Sequence, residues 1–136
     1  MKIVIAGGGT AGHVIPALAV ANEIKNRINH AEIVFIGSKG GADEKLIPAE
    51  NYLLKYLPKA DFPRKINLSA LAFIPRFSTA LIKSVLLLRG ANVAIGFGGY
   101  VATPVYIAAR ILNIPVALHE ANSIPGLANR VGRKWA

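Results

Sequence analysis

The chain has 136 residues, 53% of them hydrophobic, which suits one folded domain and excludes a disordered one. It contains no cysteine, which excludes a disulfide framework and a thiolate metal site. The formal net charge is +9, and most of it comes from residues 62–136, where nine Lys and Arg face the single acid Glu120.

This excess of positive charge indicates an anionic partner, which could be nucleic acid, an anionic lipid surface or a phosphorylated substrate. A basic surface that serves only solubility is the plain alternative. Glycines, Thr10 and His13 interrupt the first apolar run, so no signal peptide is expected. No run reaches the roughly 18 uncharged apolar residues expected of a segment that spans a bilayer.

Five alternating elements are predicted in the first half of the chain. They are a strand at 2–6, a helix at 14–27 with Pro16 in its first turn, a strand at 33–36 that ends at Gly37, a short helix at 42–50 and a strand at 52–57. The order β-α-β-α-β predicts a parallel sheet with right-handed crossovers.

The second half follows a loop with Pro58, Pro63 and the basic pair Arg64-Lys65. Its predicted elements are a helix at 68–74 that Pro75 stops, a helix at 76–89 that ends at Gly90, a strand at 92–96, a helix that runs to about Leu112, a strand at 115–118 and a last helix from about Gly126. A parallel sheet would usually receive another strand here. We therefore expect residues 1–136 to be one domain that is truncated, or half of a larger protein.

Three segments of unusual composition follow predicted strands. They are the glycine turn at 7–13, a second glycine turn at 96–104, and His119-Glu120-Ala121-Asn122. The predicted fold class is α/β, a Rossmann-like doubly wound parallel sheet. In such a sheet the carboxyl ends of the strands share one edge, where ligands bind. The sequence therefore predicts that the three segments meet in one crevice.

The first glycine turn is typical of a loop that brings backbone N–H groups and a helix N-terminus close to a phosphate. Gly7, Gly9 and Gly12 have the spacing of the dinucleotide fingerprint, but no acid ends the second strand to hold a ribose. The lysine of a nucleotide-hydrolysing phosphate loop is also absent. Neither a nicotinamide cofactor nor that kind of hydrolysis is expected, and no other cofactor or metal is indicated.

His13 is the unusual residue, because a phosphate loop does not need an imidazole at the mouth of its helix. It could serve proton transfer, or simply begin the helix with a satisfied ring. Glu120 could pair with an arginine, or orient His13 or a sugar hydroxyl. Asn122 could be a turn residue, and Tyr100 could line the cleft or pack in the core.

The segment 62–89 mixes apolar and basic side chains. Leu81, Val85 and Leu88 are expected to form the core side of an amphipathic helix. Another face would carry an apolar patch with a cationic rim, suited to an anionic membrane surface, and its residues are Phe73, Ile74, Arg76, Lys83 and Leu87.

Three motifs resemble one known family in the right order and over essentially the whole chain: Gly-Gly-Gly-Thr-Ala-Gly-His-Val-Ile-Pro-Ala-Leu-Ala at 7–19, Gly-Phe-Gly-Gly-Tyr-Val-Ala-Thr-Pro at 96–104, and His-Glu-Ala-Asn-Ser-Ile-Pro-Gly-Leu-Ala-Asn-Arg at 119–130. The family is the bacterial peptidoglycan N-acetylglucosaminyltransferase, of glycosyltransferase family 28, which converts lipid I to lipid II. The loop at 61–65 and Ala121 resemble its actinobacterial branch.

The resemblance implies the amino-terminal, acceptor-side half of a two-domain GT-B enzyme, with the donor-binding domain absent. It implies UDP-N-acetylglucosamine and lipid I as substrates, and peripheral attachment to the cytoplasmic face of the plasma membrane, without nucleic acid. His13 would be the general base, and Glu120 a second catalytic residue. Substrate-binding positions would be Thr10, Ala11, Gly12, Gly98, Gly99, Tyr100 and Asn122, with diphosphates held by the glycine loops. A membrane-recruiting subunit of a two-chain transferase, and a basic nucleotide-binding module, remain the alternatives.

Overall fold

A computed structural model describes residues 1–60 and 68–136, with only the backbone described for 68–70. The predicted basic loop at 61–65 lies outside the described residues. The elements are β1 Lys2–Ala6, α1 Ala11–Arg27, β2 Glu32–Gly37, α2 Asp43–Ala49, β3 Leu53–Tyr56, α3 Leu68–Leu88, β4 Val93–Gly96, α4 Ala102–Ile111, β5 Val116–Leu118 and α5 Leu127–Gly132.

The five strands form one parallel sheet in the order β3-β2-β1-β4-β5. In the centre of the sheet, Ile3 pairs with Ile33 of β2 on one side and with Val93 of β4 on the other. The strand order therefore reverses at β1, and the crevice between the carboxyl ends of β1 and β4 is the point where such sheets bind ligands. The predicted α/β, Rossmann-like parallel sheet is confirmed.

Both faces of the sheet are covered, as the continuous apolar runs of its strands require. In β1 the side chains alternate between two separate cores. Ile3 and Ile5 pack in the cluster that includes residues of α1 and α2, whereas Val4 and Ala6 pack with residues of α3, α4 and α5. This burial fixes the sheet between two helix layers and leaves its carboxyl edge open.

Helix α1 begins three residues earlier than predicted. Thr10 is extended, with φ −122° and ψ 152°, and its carbonyl accepts hydrogen bonds from the N–H groups of His13 and Val14 at 3.1 and 3.2 Å. Helical geometry therefore starts at Ala11, and Pro16 lies in the second turn rather than in the first. The cost of Pro16 is one missing intrahelical hydrogen bond.

Helix α3 is one continuous helix, so the predicted break at Pro75 is wrong. The φ angle of proline is compatible with a helix, and what proline removes is a single N–H donor. Pro75 and Leu71, whose carbonyl loses that donor, are both exposed, so water can take its place. The Thr79 hydroxyl donates to the Pro75 carbonyl at 2.8 Å and supports the next turn.

By length and composition α3 could also cross a membrane, although it contains Arg76 and Lys83 and so is not an uncharged run. Its window Leu71–Leu88 has a mean hydropathy of 1.6, and 17% of it is buried. The buried side chains are Ala80, Ser84 and Leu88, which repeat every four residues on one face. That face packs on the domain and leaves most of the helix surface exposed.

Candidate active site

A cleft of about 340 Å³ opens at the carboxyl edge of the sheet, where β1 and β4 diverge. All three predicted segments contribute to its wall through His13, Gly98, Gly99, Tyr100, Glu120 and Asn122. Thr10, Ala11 and Gly12 lie beside it, at the start of α1. The convergence that the sequence predicts is therefore present in the structure.

The two glycine loops touch each other, and glycine is required where they meet. Gly99 has φ +79°, and a Cβ atom there would lie 2.8 Å from the carbonyl oxygen of Gly8. Gly98 has φ +91°, and a Cβ atom there would lie 3.2 Å from Nε2 of His13. A side chain at either position would separate the loops or displace the imidazole.

His13 is half-buried in the cleft wall. Its Nδ1 lies 3.2 Å from the Thr10 hydroxyl oxygen, while its Nε2 points toward Gly98. When Nδ1 carries the proton and donates to Thr10, Nε2 keeps a free lone pair at the cleft. A positioned imidazole with a free lone pair has the form of a general base.

Glu120 is held by hydrogen bonds from its own loop and from α5. One carboxylate oxygen accepts from the backbone N–H and the side-chain amide of Asn122 at 2.9 and 2.8 Å, and the other accepts from the Gly126 N–H at 3.0 Å. These bonds, led by the Asn122 N–H, lower the pKa of Glu120 to about 2. Glu120 is therefore an anion at neutral pH, and its contacts are those of a residue that fixes the loop.

Asn129 is the residue that connects this loop to the fold, and the sequence-based selection of site residues missed it. It is buried, and its amide donates to the His119 carbonyl at 2.9 Å and to Glu120 at 3.0 Å. Its amide oxygen accepts from the buried Tyr106 hydroxyl at 2.7 Å. The Tyr106 oxygen in turn accepts from the Gly98 N–H, and burial raises the pKa of this phenol well above its ordinary value.

The family model described as the glycosyltransferase family 28 N-terminal domain matches residues 3–136. The chain belongs to glycosyltransferase family 28. A relative from Clavibacter sepedonicus, named UDP-N-acetylglucosamine--N-acetylmuramyl-(pentapeptide) pyrophosphoryl-undecaprenol N-acetylglucosamine transferase, is 46% identical over 97% of this chain and 36% of its own length. A relative of the same name from Bifidobacterium longum (strain DJO10A) is 45% identical over 98% of this chain and 35% of its own.

A crystal structure of MurG from Acinetobacter baumannii superposes with a TM-score of 0.85 at 29% identity, covering 99% of this chain and 39% of that one. A UDP-N-acetylglucosamine 2-epimerase, with a TM-score of 0.67 at 16% identity, shares the fold. The family 28 domain thus spans little more than a third of the length of the relatives that it matches. The predicted family, its actinobacterial branch and its GT-B type of fold are confirmed.

Asp43 is a second position near the glycine loops that sequence reasoning missed. It is fully buried in the first turn of α2, and its carboxylate accepts from the N–H of Gly9 at 3.0 Å and from the N–H of Ser38. Asp43 is not the ribose-binding acid of the dinucleotide fingerprint, because its carboxylate is buried and bonded to the backbone. It braces the first glycine loop from behind and occupies a donor that an anion would otherwise use.

Thr103 is a third such position. It is 2% exposed, lines the cleft, and its hydroxyl has no hydrogen-bond partner within the described residues. A buried hydroxyl without a partner costs free energy, so a hydrogen-bonding ligand in the cleft would satisfy it. Across residues 1–60 and 68–136, no group of three or more His, Cys, Asp or Glu residues could hold a metal ion.

The residues of the predicted membrane patch do not all lie on one exposed surface. Ile74, Arg76 and Lys83 are exposed, and Phe73 stacks on Phe77 with ring centroids 5.2 Å apart. Leu87, in contrast, is half-buried and packs against the core. Among residues 71–88 of α3, the large exposed apolar side chains are Leu71, Ile74, Ile82 and Leu86.

Proposed function

We propose that this chain is the acceptor-side domain of a UDP-N-acetylglucosamine-dependent hexosyltransferase of peptidoglycan synthesis. The enzyme would transfer N-acetylglucosamine to the C4 hydroxyl of undecaprenyl-diphospho-N-acetylmuramoyl-peptide, lipid I, with inversion, and so form lipid II. The observation that carries the proposal is His13, whose Nδ1 is paired with Thr10 and whose Nε2 faces a cleft built from all three motif segments. Relatives at 45–46% identity carry the name of this transferase.

In the proposed reaction, Nε2 of His13 takes the proton from the C4 hydroxyl as its oxygen attacks C1 of the donor sugar. The bond from C1 to the diphosphate breaks, and UDP leaves with the bonding electron pair. The first-turn N–H groups of Ala11 and Gly12 have no intrahelical partners and sit at the positive end of the α1 dipole. In the proposed reaction they would stabilise the leaving diphosphate.

The remaining cleft residues hold the geometry in this proposal. Glu120 fixes Asn122 through two hydrogen bonds, so the free amide oxygen of Asn122 is presented to substrate in one orientation. Gly98, Gly99 and Tyr100 line the cleft next to His13. Glu120 is thus a positioning residue, because a carboxylate with a pKa of about 2 is a poor proton acceptor at neutral pH.

We also propose that the active enzyme needs a second domain and a membrane surface. A donor-binding domain would supply the opposite wall of the cleft, so the chain alone is expected to be inactive or nearly so. The enzyme would lie peripherally on the cytoplasmic face of the plasma membrane. Ile74 would insert into the headgroup region, with Arg76 and Lys83 near anionic lipids.

The direct test is a transfer assay with lipid I and labelled UDP-N-acetylglucosamine. We expect labelled lipid II when the chain is joined to the donor-binding domain encoded with it, and little or none from the 136-residue chain alone. Robust turnover by the isolated chain would refute the half-enzyme proposal. A gene without a second α/β domain would favour a recruiting subunit that works with a separate donor-binding chain.

The nucleotide- or nucleic-acid-binding alternative rests on the net charge of +9. Arg76→Glu/Lys83→Glu, compared with the parent chain, should reduce binding to anionic vesicles and leave weak oligonucleotide binding little changed. The alternative would be favoured if the parent chain bound oligonucleotides strongly but did not bind vesicles, and if the variant lost the oligonucleotide binding.

A further inference from the structure

The start of α2 holds the first glycine loop through both backbone groups of Gly9. The fully buried carboxylate of Asp43 accepts the Gly9 N–H at 3.0 Å, and the Ala42 N–H donates to the Gly9 carbonyl at 3.3 Å. The second oxygen of Asp43 accepts the N–H of Ser38. One buried side chain therefore ties the loop after β1 to the loop after β2.

The carboxylate of Asp43 is packed tightly against glycine backbone. A Cβ atom added to Gly8, Gly37 or Gly41 would collide with one of its oxygens. Closely packed interiors leave side chains little room to move, so the two oxygens have fixed places. Asp43 therefore gives the first glycine loop a rigid point of attachment.

The point of attachment lies one residue before the partner of the His13 ring. Gly9 is followed by Thr10, whose hydroxyl oxygen lies 3.2 Å from Nδ1 of His13 and whose carbonyl accepts the His13 N–H at 3.1 Å. A movement of Gly9 would therefore be passed directly to the group that pairs with the imidazole.

The first glycine loop also sets the distance to the second one. A Cβ atom on Gly99 would lie 2.8 Å from the Gly8 carbonyl oxygen, so the two backbones are in direct contact. Gly98, the residue before Gly99, faces Nε2 of His13. A shift of the first loop would therefore move groups on both sides of the imidazole.

We propose that Asp43 is a positioning residue for the proton transfer, because it sets the place of Gly9 and, through the loop, the orientation of the His13 ring. The inference rests on the proposed function, in which Nε2 of His13 takes the proton of the acceptor hydroxyl. Asp43 acts through the backbone, and its buried side chain does not touch substrate in this proposal. Misplacing a reacting group by about 1 Å can lower a rate by about 10²-fold, so the place of this loop matters to the chemistry.

The first test follows the imidazole of His13 by ¹⁵N NMR in the 136-residue chain. Asp43→Ala removes both acceptor oxygens, so the Gly9 N–H is no longer held and the ring signals of His13 should shift relative to the parent chain. The signals of the exposed His30 should stay in place. Ile47→Val, the matched control, trims a fully buried side chain of the same helix and should leave the His13 signals unchanged.

Unchanged His13 signals in a folded Asp43→Ala chain would overturn the proposal. If that variant does not fold, Ala42→Pro decides the question. The φ angle of Ala42 is −62°, which proline can adopt, so this variant removes the N–H that donates to the Gly9 carbonyl and retains Asp43. It should also shift the His13 signals, and unchanged signals would contradict the proposal equally.

The same variants in the enzyme with its donor-binding domain separate this inference from the proposed function. At a temperature where they stay folded, Asp43→Ala should lower kcat about tenfold or more, with the KM for UDP-N-acetylglucosamine within about twofold of the parent value, and Ile47→Val should keep the parent kcat. An Asp43→Ala enzyme with a lower Tm but the parent kcat would refute the positioning role alone. A parent enzyme that forms no lipid II would refute the proposed function, while the His13 signals would still report whether Asp43 positions the ring.

Discussion

At the scale of single residues, the cleft depends on a chain of hydrogen bonds that runs from the second glycine loop to Glu120. Gly98, Tyr106, Asn129 and Glu120 are linked in series. Tyr106 and Asn129 are both buried, so each needs the other to satisfy its polar group. Glu120, at one end of this series of hydrogen bonds, is therefore positioned by the buried residues Tyr106 and Asn129.

Glu120 predicts a specific dependence of stability on pH. Its folded-state pKa of about 2 lies below the ordinary value of 4.5, so its contribution is complete above pH 4.5 and is lost as the pH falls toward 2. Glu120→Gln should therefore lose less stability than the parent chain between pH 5 and pH 2.5, as measured by urea unfolding. Parallel losses in the two proteins would contradict the hydrogen-bonded carboxylate.

Tyr106→Phe and Asn129→Ala test the buried part of the chain of hydrogen bonds. Each leaves a buried polar partner unsatisfied and should lower the free energy of unfolding by about 1–3 kcal/mol. Because the two side chains contact each other, the double variant should cost at least about 0.5 kcal/mol less than the sum. Strict additivity in urea unfolding would show that the hydrogen bond at 2.7 Å contributes nothing to coupling.

At the scale of elements, α3 differs most from what its sequence predicts. Proline usually marks a helix end, and the flanking segments 68–74 and 76–89 each have a plausible helical pattern. What decides the outcome is tertiary: Ala80, Ser84 and Leu88 pack as one face, and Pro75 lies on exposed surface where water can satisfy the Leu71 carbonyl. Neither the packing of this face nor the exposure of Pro75 can be predicted from the local sequence pattern.

Pro75→Ala tests the continuous helix. The substitution restores an N–H donor to the helix, which stabilises the folded state. Alanine also gives the unfolded chain more conformational entropy than proline does, which offsets part of this gain. The free energy of unfolding should therefore rise by about 1–2 kcal/mol. Urea unfolding with detection of helical circular dichroism measures the change. Pro58→Ala, in the loop after β3, is the matched control and should not stabilise. A stabilisation no larger than that of Pro58→Ala would indicate that the helix does end at Pro75.

The strands and the converging loops could be predicted because their signals are local. Apolar runs bounded by glycine give β1, β2 and β4, and the parallel order places the carboxyl ends on one edge. Asp43 and Asn129 could not be found in this way. Asp43 and its partner Gly9 are 34 residues apart in the sequence, and Asn129 and its partner Tyr106 are 23 residues apart. Only the folded chain brings these partners together.

At the scale of the whole molecule, the fold places two different surfaces on one domain. The strand order brings the β1 and β4 loops together as the cleft, and α3 adds an exposed apolar face. Both surfaces are features that the proposed function uses, the cleft for the sugar acceptor and α3 for the membrane.

The most direct test of this account is the turnover of His13→Gln in the enzyme that joins this chain to its donor-binding domain. Loss of a general base should lower kcat by about 10²- to 10⁴-fold, while the KM for UDP-N-acetylglucosamine changes little. His30→Gln, an exposed histidine in the turn before β2, should behave like the parent enzyme. A His13→Gln enzyme with near-normal kcat would remove His13 as the base and contradict the central claim.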